Sequence, residues 1–169
     1  MQVLQGSFLS TLLTCQEQPL KVGRKVGGMQ PWIQNVSLAD IRKGFHKPAG
    51  SNSMLIQIVD PLMEFPEPLH QFTETHQFEF LDLEGNEAFG SEFCVTDEQA
   101  KELVSLLKHA YDKEMNVVVH CVAGVCRSGA VCEVGVMMGF EDTGVFRSPN
   151  LLVKHKMMKE LGWTYDNKH

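Results

Sequence analysis

The sequence predicts a layered α/β domain, and three observations predict it. Two short runs rich in β-branched and aliphatic residues, 54–59 and 117–119, are of the kind that fills a strand buried on both faces of a parallel or mixed sheet. A helical, one-sided apolar pattern over 96–111 leads directly into the second of them. Strand patterns alternate with helix patterns along the rest of the readable chain. With 169 residues, 43% of them hydrophobic and 21% charged, the chain can bury one sizeable core and is short for two, so a single domain over 1–169 is expected.

Residues 1–35 are the least readable. Val3-Leu4, Phe8-Leu9 and Leu12-Leu13 can supply a first strand or two, and 22–28, rich in Gly and Lys/Arg, reads as a turn or flexible connection. The basic residues Lys21, Arg24 and Lys25 are read as solvated surface. Ser37-Leu38-Ala39-Asp40 has the form of a helix start, with Leu38, Ile41 and Phe45 on one face, and 46–52 breaks that helix. Residues 54–59 read as a central strand that Asp60-Pro61 ends. The stretch 62–70, with Pro66 and Pro68, is an irregular surface loop.

Further on, Gln77-Phe78-Glu79-Phe80-Leu81 alternates as a strand with one covered face does, Asp82 follows at its end, and 84–90 is a polar, glycine-bearing loop. Thr96 and Gln99 form a capping-box pattern at the start of a helix whose buried face is Ala100, Leu103, Val104, Leu107, Ala110 and Tyr111. After the strand that ends at Cys121 comes a tight loop, then a buried helix over 130–138 with Gly139 as its stop. Ser148 as cap and Pro149 in the first turn signal a last helix, with Leu151, Leu152, His155, Met158 and Leu161 recurring until Gly162.

The formal charge of −6 and pI near 5.6 argue against a general nucleic-acid or anionic-membrane surface. Five cysteines, an odd number without a regular framework, fit a reducing compartment better than a disulfide scaffold. With no basic leader segment and no stretch as long as a membrane span, a cytoplasmic protein is expected. His70 and His76 near glutamates are read as loop side chains rather than as a metal site.

The chemistry concentrates in Asn116-Val117-Val118-Val119-His120-Cys121-Val122-Ala123-Gly124-Val125-Cys126-Arg127-Ser128-Gly129-Ala130. A strand feeding a tight loop that opens a helix turns successive N–H groups, and the positive helix end, toward one small volume suited to an anion. Cys121 at the strand end faces those donors, a setting that favours the nucleophilic thiolate. Arg127 offers a planar fork for two oxygens of a tetrahedral oxyanion. Ser128 adds a hydroxyl that can hydrogen-bond a departing thiolate.

His120-Cys121, five residues, Arg127-Ser128, with Ala123-Gly124 inside and Gly129 behind, resembles the active-site signature of cysteine-dependent protein tyrosine phosphatases. The resemblance implies a three-layer fold with a central, mostly parallel twisted sheet flanked by helices, and a reaction that needs no metal or other cofactor. It implies that Cys121 attacks phosphorus and that Val122, Ala123, Gly124, Val125, Cys126 and Arg127 bind the phosphoryl group. An Asp upstream of the signature protonates the leaving group, and Ser128 assists the second step. Asp82 is the choice for that acid because it closes a strand and opens a flexible loop; Asp60, Glu84 and Asp97 compete. Asp60 also fits a plain strand-to-turn boundary, and Asp97 also fits a first-turn residue complementing the helix dipole. His120 orients the loop.

The size of the chain resembles that of dual-specificity phosphatases, which implies a pocket shallow enough for phosphoserine and phosphothreonine beside phosphotyrosine, with a phosphoprotein or phosphopeptide as partner. Positions where phosphoinositide-directed relatives carry Lys are Val122 and Cys126 here, and the acidic balance gives no support to an RNA 5′-phosphate substrate. A phosphate-binding pseudophosphatase, or a relative acting on RNA or lipid phosphate, is the alternative. A sulfurtransferase uses a similar loop, but Arg-Ser-Gly favours phosphate chemistry, and Cys15, Cys94 and Cys132 lack the spacing of an arsenate-reducing relay. Cys126 resembles the second loop cysteine of low-molecular-weight tyrosine phosphatases. It is read either as a thiol that captures an oxidised Cys121 as a disulfide or as a small packing residue.

Overall fold

The structure, a computed structural model, describes residues 28–163; the strands and turn expected within 1–27 lie outside the described residues. Five strands, β1 (Trp32–Ser37), β2 (Ser53–Val59), β3 (Glu74–Glu79), β4 (Asn116–Cys121) and β5 (Glu141–Asp142), form one sheet in the order β3-β2-β4-β1-β5. Every pairing is parallel, so the mostly parallel sheet expected from the sequence is wholly so among the described residues. The valines of β4 place it at the centre, paired with β1 on one side (Ser37 opposite Cys121) and β2 on the other (Gln57 opposite His120).

The pleat of β4 divides the core. Val117 and Val119 face the larger cluster, with Ile33, Met54, Ile56 and Ile58 of neighbouring strands. Three helices cover that face: α2 (Asp97–Asp112) through Leu103, Val104 and Leu107, α3 (Arg127–Met138) through Val131 and Val134, and α4 (Leu151–Glu160) through Val153 and Met157. Val118 faces the other way, onto Trp32, Val36, Leu55 and Ile41 of α1 (Leu38–Lys43). The result is helix, sheet, helix, three layers in all. Each of these fully buried aliphatic side chains contributes about 1.5–3 kcal/mol by leaving water, before chain entropy is set against it.

Local signals account for most boundaries. Ser37 caps α1 by accepting the Asp40 N–H, Asp40 returns the bond to the Ser37 N–H, and Gly44 in the left-handed region ends the helix. Thr96 and Gln99 form the expected box on α2, whose buried residues are Ala100, Leu103, Val104, Leu107, Ala110 and Tyr111, as the periodicity predicts. Gly139 stops α3 by donating back to Gly135 and Val136. Among the described residues no helix is long and apolar enough to cross a membrane.

Several expectations need correction. Strands β1 and β5 were not anticipated. Phe45 is 66% exposed and leaves the buried face of α1, because Gly44 has already turned the chain. Strand β3 starts at Glu74 and ends at Glu79, with Phe80 and Leu81 continuing as backbone-bonded chain. Helix α3 begins at Arg127, three residues before the expected start. The cap of α4 is Asn150, not Ser148: its side chain accepts the Val153 N–H, and the buried residues are Val153, Met157 and Met158, whereas Leu151 and His155 are exposed.

Candidate active site

The loop between β4 and α3 is shaped by what its carbonyls bond. The carbonyl of Val122 accepts the Leu38 N–H at 3.2 Å, that of Val125 the Ser148 N–H at 3.2 Å, and that of Cys126 the Asn150 N–H at 3.0 Å. The Gly124 carbonyl accepts from Asn35 Nδ2 at 2.8 Å. Four carbonyls tethered outward leave the inner side of the loop to N–H groups, the arrangement that cradles an oxyanion. Gly124 is required: its φ is +76°, and a Cβ there would lie 2.4 Å from the Ser37 nitrogen and the Val36 carbonyl carbon.

Cys121 is buried at the end of β4. Its Sγ accepts the Gly124 N–H at 3.2 Å and lies 3.2 Å from Ser128 Oγ. The structure thus brings Cys121, Gly124 and Ser128 to one point. Arg127, 4% exposed, is held from behind: Nη1 donates to Asp60 Oδ1 at 2.6 Å and to the Phe80 carbonyl at 2.7 Å. Its Nε is buried and has no partner among the described residues. Leaving such a donor unpaired costs on the order of 1–3 kcal/mol or more, and an oxyanion bound in the loop is the natural acceptor.

His120 is fully buried on β4, with Nδ1 3.3 Å from the Cys121 carbonyl. Burial pushes its ring down to about 4, with Arg127 adding to the effect and the backbone contact opposing it. At neutral pH it is an uncharged ring buried beside Cys121.

The four carboxylates that compete for the acid's role are sorted by their partners. Asp60 bonds Arg127. Glu84 accepts the Leu151 N–H at 3.0 Å at the start of α4. Asp97 pairs with Lys156 at 2.6 Å, which holds its carboxyl below the usual range and joins α2 to α4. Asp82 is the one of the four that touches Cys126: burial and then the Asp82 carboxylate, to which it is hydrogen-bonded, push the Cys126 thiol up. Asp82 Oδ1 also accepts from Asn150 Nδ2 at 2.7 Å.

Asn150 was not singled out from the sequence, yet it joins the loop, the Asp82 segment and α4. Its amide oxygen caps α4, its Nδ2 donates to Asp82 and to the Leu83 carbonyl at 3.1 Å, and its backbone N–H holds Cys126. Asn35 was likewise missed; its Nδ2 ties Gly124 to the Phe146 carbonyl at 3.0 Å. Arg147 anchors the 143–150 segment, with Nε on Glu133 at 2.7 Å and both Nη atoms on Asp142, contacts that hold its guanidinium charged and lower both carboxyls. The X-Pro-Asn sequence before a helix was the available signal for Asn150; Asn35 and Arg147 had none, since their partners are far away in the chain. Among the described residues, no group of three or more His, Cys, Asp or Glu side chains is placed to hold a metal ion.

No family model matches the chain, and no curated protein matches it either. Among solved structures it is similar to human DUSP28, at 15% identity and a TM-score of 0.49, over 78% of this chain and 92% of that one. It is similar to OH1 from the Orf virus, described as a tyrosine phosphatase with triple substrate specificity, at 20% identity and 0.42, over 90% and 72%. A third is Tk-PTP in its active form, at 14% identity and 0.40, over 80% and 82%. What this loop can do chemically follows from its own atoms.

Proposed function

We propose that this protein is a cysteine-dependent phosphatase that hydrolyses phosphotyrosine, and also phosphoserine and phosphothreonine, in protein or peptide substrates through a phosphocysteine intermediate. The observation that carries the reading is the pairing of Cys121 Sγ, held by Gly124 N–H and Ser128 Oγ, with a buried Arg127 whose Nε has no protein acceptor among the described residues.

In the first step the Cys121 thiolate attacks phosphorus. The S–P bond forms, the P–O bond to the side-chain oxygen breaks, and a proton passes from the Asp82 carboxyl to that oxygen. Arg127 and the N–H groups of Val122 to Arg127 hold the equatorial oxygens as charge redistributes. In the second step water gives its proton to the Asp82 carboxylate as its oxygen bonds phosphorus. The S–P bond breaks, and the thiolate returns to the donors Gly124 N–H and Ser128 Oγ–H. Asn150 fixes Asp82 through Oδ1, and the Cys126 thiol holds the same carboxyl beside the loop. Asp60 and the Phe80 carbonyl keep the Arg127 fork aimed at the loop, and His120 supports the backbone beneath Cys121. The chemistry needs a reduced thiol, which supports a reducing, cytoplasmic setting as part of the same proposal.

The test is hydrolysis of p-nitrophenyl phosphate by reduced, metal-free protein beside Cys121→Ser, with vanadate as competitor. Turnover that vanishes in Cys121→Ser and is blocked by vanadate supports the reading. Oxyanion binding without turnover in the reduced wild type refutes it in favour of a phosphate-binding protein.

A further inference from the structure

Three segments converge on the loop that carries Cys121, and they and the loop itself each expose an apolar side chain. The turn at 60–63 bears on Arg127 through Asp60 and presents Leu62, 98% exposed. The segment after Asp82 presents Phe89, 89% exposed, and the loop itself presents Val122, 39% exposed. The 143–150 segment presents Phe146, 77% exposed, whose carbonyl shares the Asn35 amide with Gly124.

Leu62 is the most informative of these. The Met63 N–H donates to the Asp60 carbonyl at 3.0 Å, so Pro61 and Leu62 are the central residues of a β-turn, and Leu62 has a φ of +70°. That position favours Gly or Asn, because a Cβ crowds the following carbonyl. A branched apolar residue there serves neither the turn nor, at 98% exposure, the core.

The charges on the same segments are one-sided. Asp60, paired with Arg127, and Asp82, Glu84 and Glu87 lie on them, Glu64 follows the 60–63 turn, and the basic residues are Arg127, buried, and Arg147, which is paired with Glu133 and Asp142. A ligand carrying several phosphates would place the outer ones against carboxylates. A ligand with a single phosphate and apolar surroundings would not.

We infer that Leu62, Phe146, Phe89 and Val122 form an apolar rim that selects, among phosphate esters, a polypeptide whose single phosphorylated side chain is flanked by apolar residues. The inference rests on the phosphatase reading above and narrows its substrate class. It excludes a polyanion such as an RNA 5′ end or a multiply phosphorylated lipid headgroup as the preferred substrate.

The experiment compares kcat/KM for two phosphotyrosine peptides, one with apolar and one with acidic flanks, and for p-nitrophenyl phosphate, in the wild type, Leu62→Gly, Phe146→Ser and Met29→Ser. An RNA bearing a 5′-triphosphate and vesicles containing a phosphoinositide are assayed alongside. The expected result is a wild-type preference for the apolar-flanked peptide and a loss of about tenfold on that peptide in Leu62→Gly and in Phe146→Ser, the order expected when one apolar side chain no longer leaves water. Glycine suits the turn, so Leu62→Gly should melt as the wild type does, and Met29→Ser, an exposed residue before the start of β1 at the end of the strands away from the Cys121 loop, should leave all rates unchanged. Equal rates on the two peptides, or faster turnover of the RNA or the lipid, overturns the inference while leaving a phosphatase in place. Failure to hydrolyse any of these esters, p-nitrophenyl phosphate included, removes the phosphatase reading itself and the rim proposal with it.

Discussion

Replacing Asn150 by Ser separates two things that one side chain does. A serine keeps an oxygen able to accept the Val153 N–H, so the cap on α4 survives; replacing it by Ala instead removes the cap, at a cost of about 0.5–2 kcal/mol. Both variants lose the Nδ2 donor that holds Asp82 Oδ1 at 2.7 Å and the Leu83 carbonyl at 3.1 Å. Asp82 is exposed and water can replace the lost donor, so the stability cost of Asn150→Ser should be small, about 1 kcal/mol. The kinetic cost should be larger. A misplacement of an acid by about 1 Å can lower a rate by up to about 10²-fold, and only where the leaving oxygen needs its proton. The assay is kcat for a series of aryl phosphates whose phenols range from strongly to weakly acidic. In Asn150→Ser the p-nitrophenyl ester should react nearly as in the wild type, and the esters of weakly acidic phenols should slow by roughly 10- to 100-fold. Asn150→Ala should show the same dependence on a less stable background. An equal loss across the whole series, or no loss, refutes the argument and reduces Asn150 to a helix cap.

The remaining predictions bear on the same loop. Asp82→Asn should lower kcat by about 10²- to 10⁴-fold and abolish the alkaline limb of its pH profile; a wild-type rate and profile would move the acid's role to another carboxylate. Gly124→Ala should be destabilising by about 2–5 kcal/mol in urea unfolding, combining a left-handed backbone with a Cβ driven into the backbone of β1; a loss below about 0.5 kcal/mol would contradict the close approach described. His120 has an ordinary value of 6.5, pushed to about 4 on folding, so between those limits the unfolded chain binds more protons. Its contribution is therefore present above pH 6.5 and lost as pH falls toward 4, roughly 3 kcal/mol in all, and unfolding of His120→Gln should lack that part of the pH dependence. If Cys126 traps an oxidised Cys121, Cys126→Ser should recover less activity than the wild type after peroxide followed by thiol reductant; equal recovery leaves Cys126 as a partner of Asp82 alone.

What could be read from the sequence follows from how local each signal is. The strand, loop and helix around Cys121 lie in one contiguous stretch whose apolar run, glycines and charges agree, so the candidate site is legible without any tertiary contact. Helix α2 was equally plain because its cap and its one-sided apolar face are written within sixteen residues. Strand β1 was hidden because Gln34 and Asn35 interrupt its apolar pattern; Asn35 is buried because it serves the loop rather than the core. Asp60 looked like the end of a strand, and only folding brings it onto Arg127. The cap of α4 was misplaced because Ser148-Pro149 carries the stronger local pattern, whereas Asn150 is placed by the Asp82 segment and the loop it touches.

The tethers on the loop also set the order in which the protein can become reactive. Carbonyls of Val125 and Cys126 are held by Ser148 and Asn150, and that of Val122 by Leu38. During synthesis Cys121 leaves the ribosome before Ser148 and Asn150 do, so a nascent chain carries the thiol without the cradle. The parallel pairing of β4 with β1 joins residues far apart in the chain, and contacts of that kind form late in folding. The bonds that hold the loop therefore all wait on long-range contacts, and a chain made only as far as Cys121 carries the thiol without them.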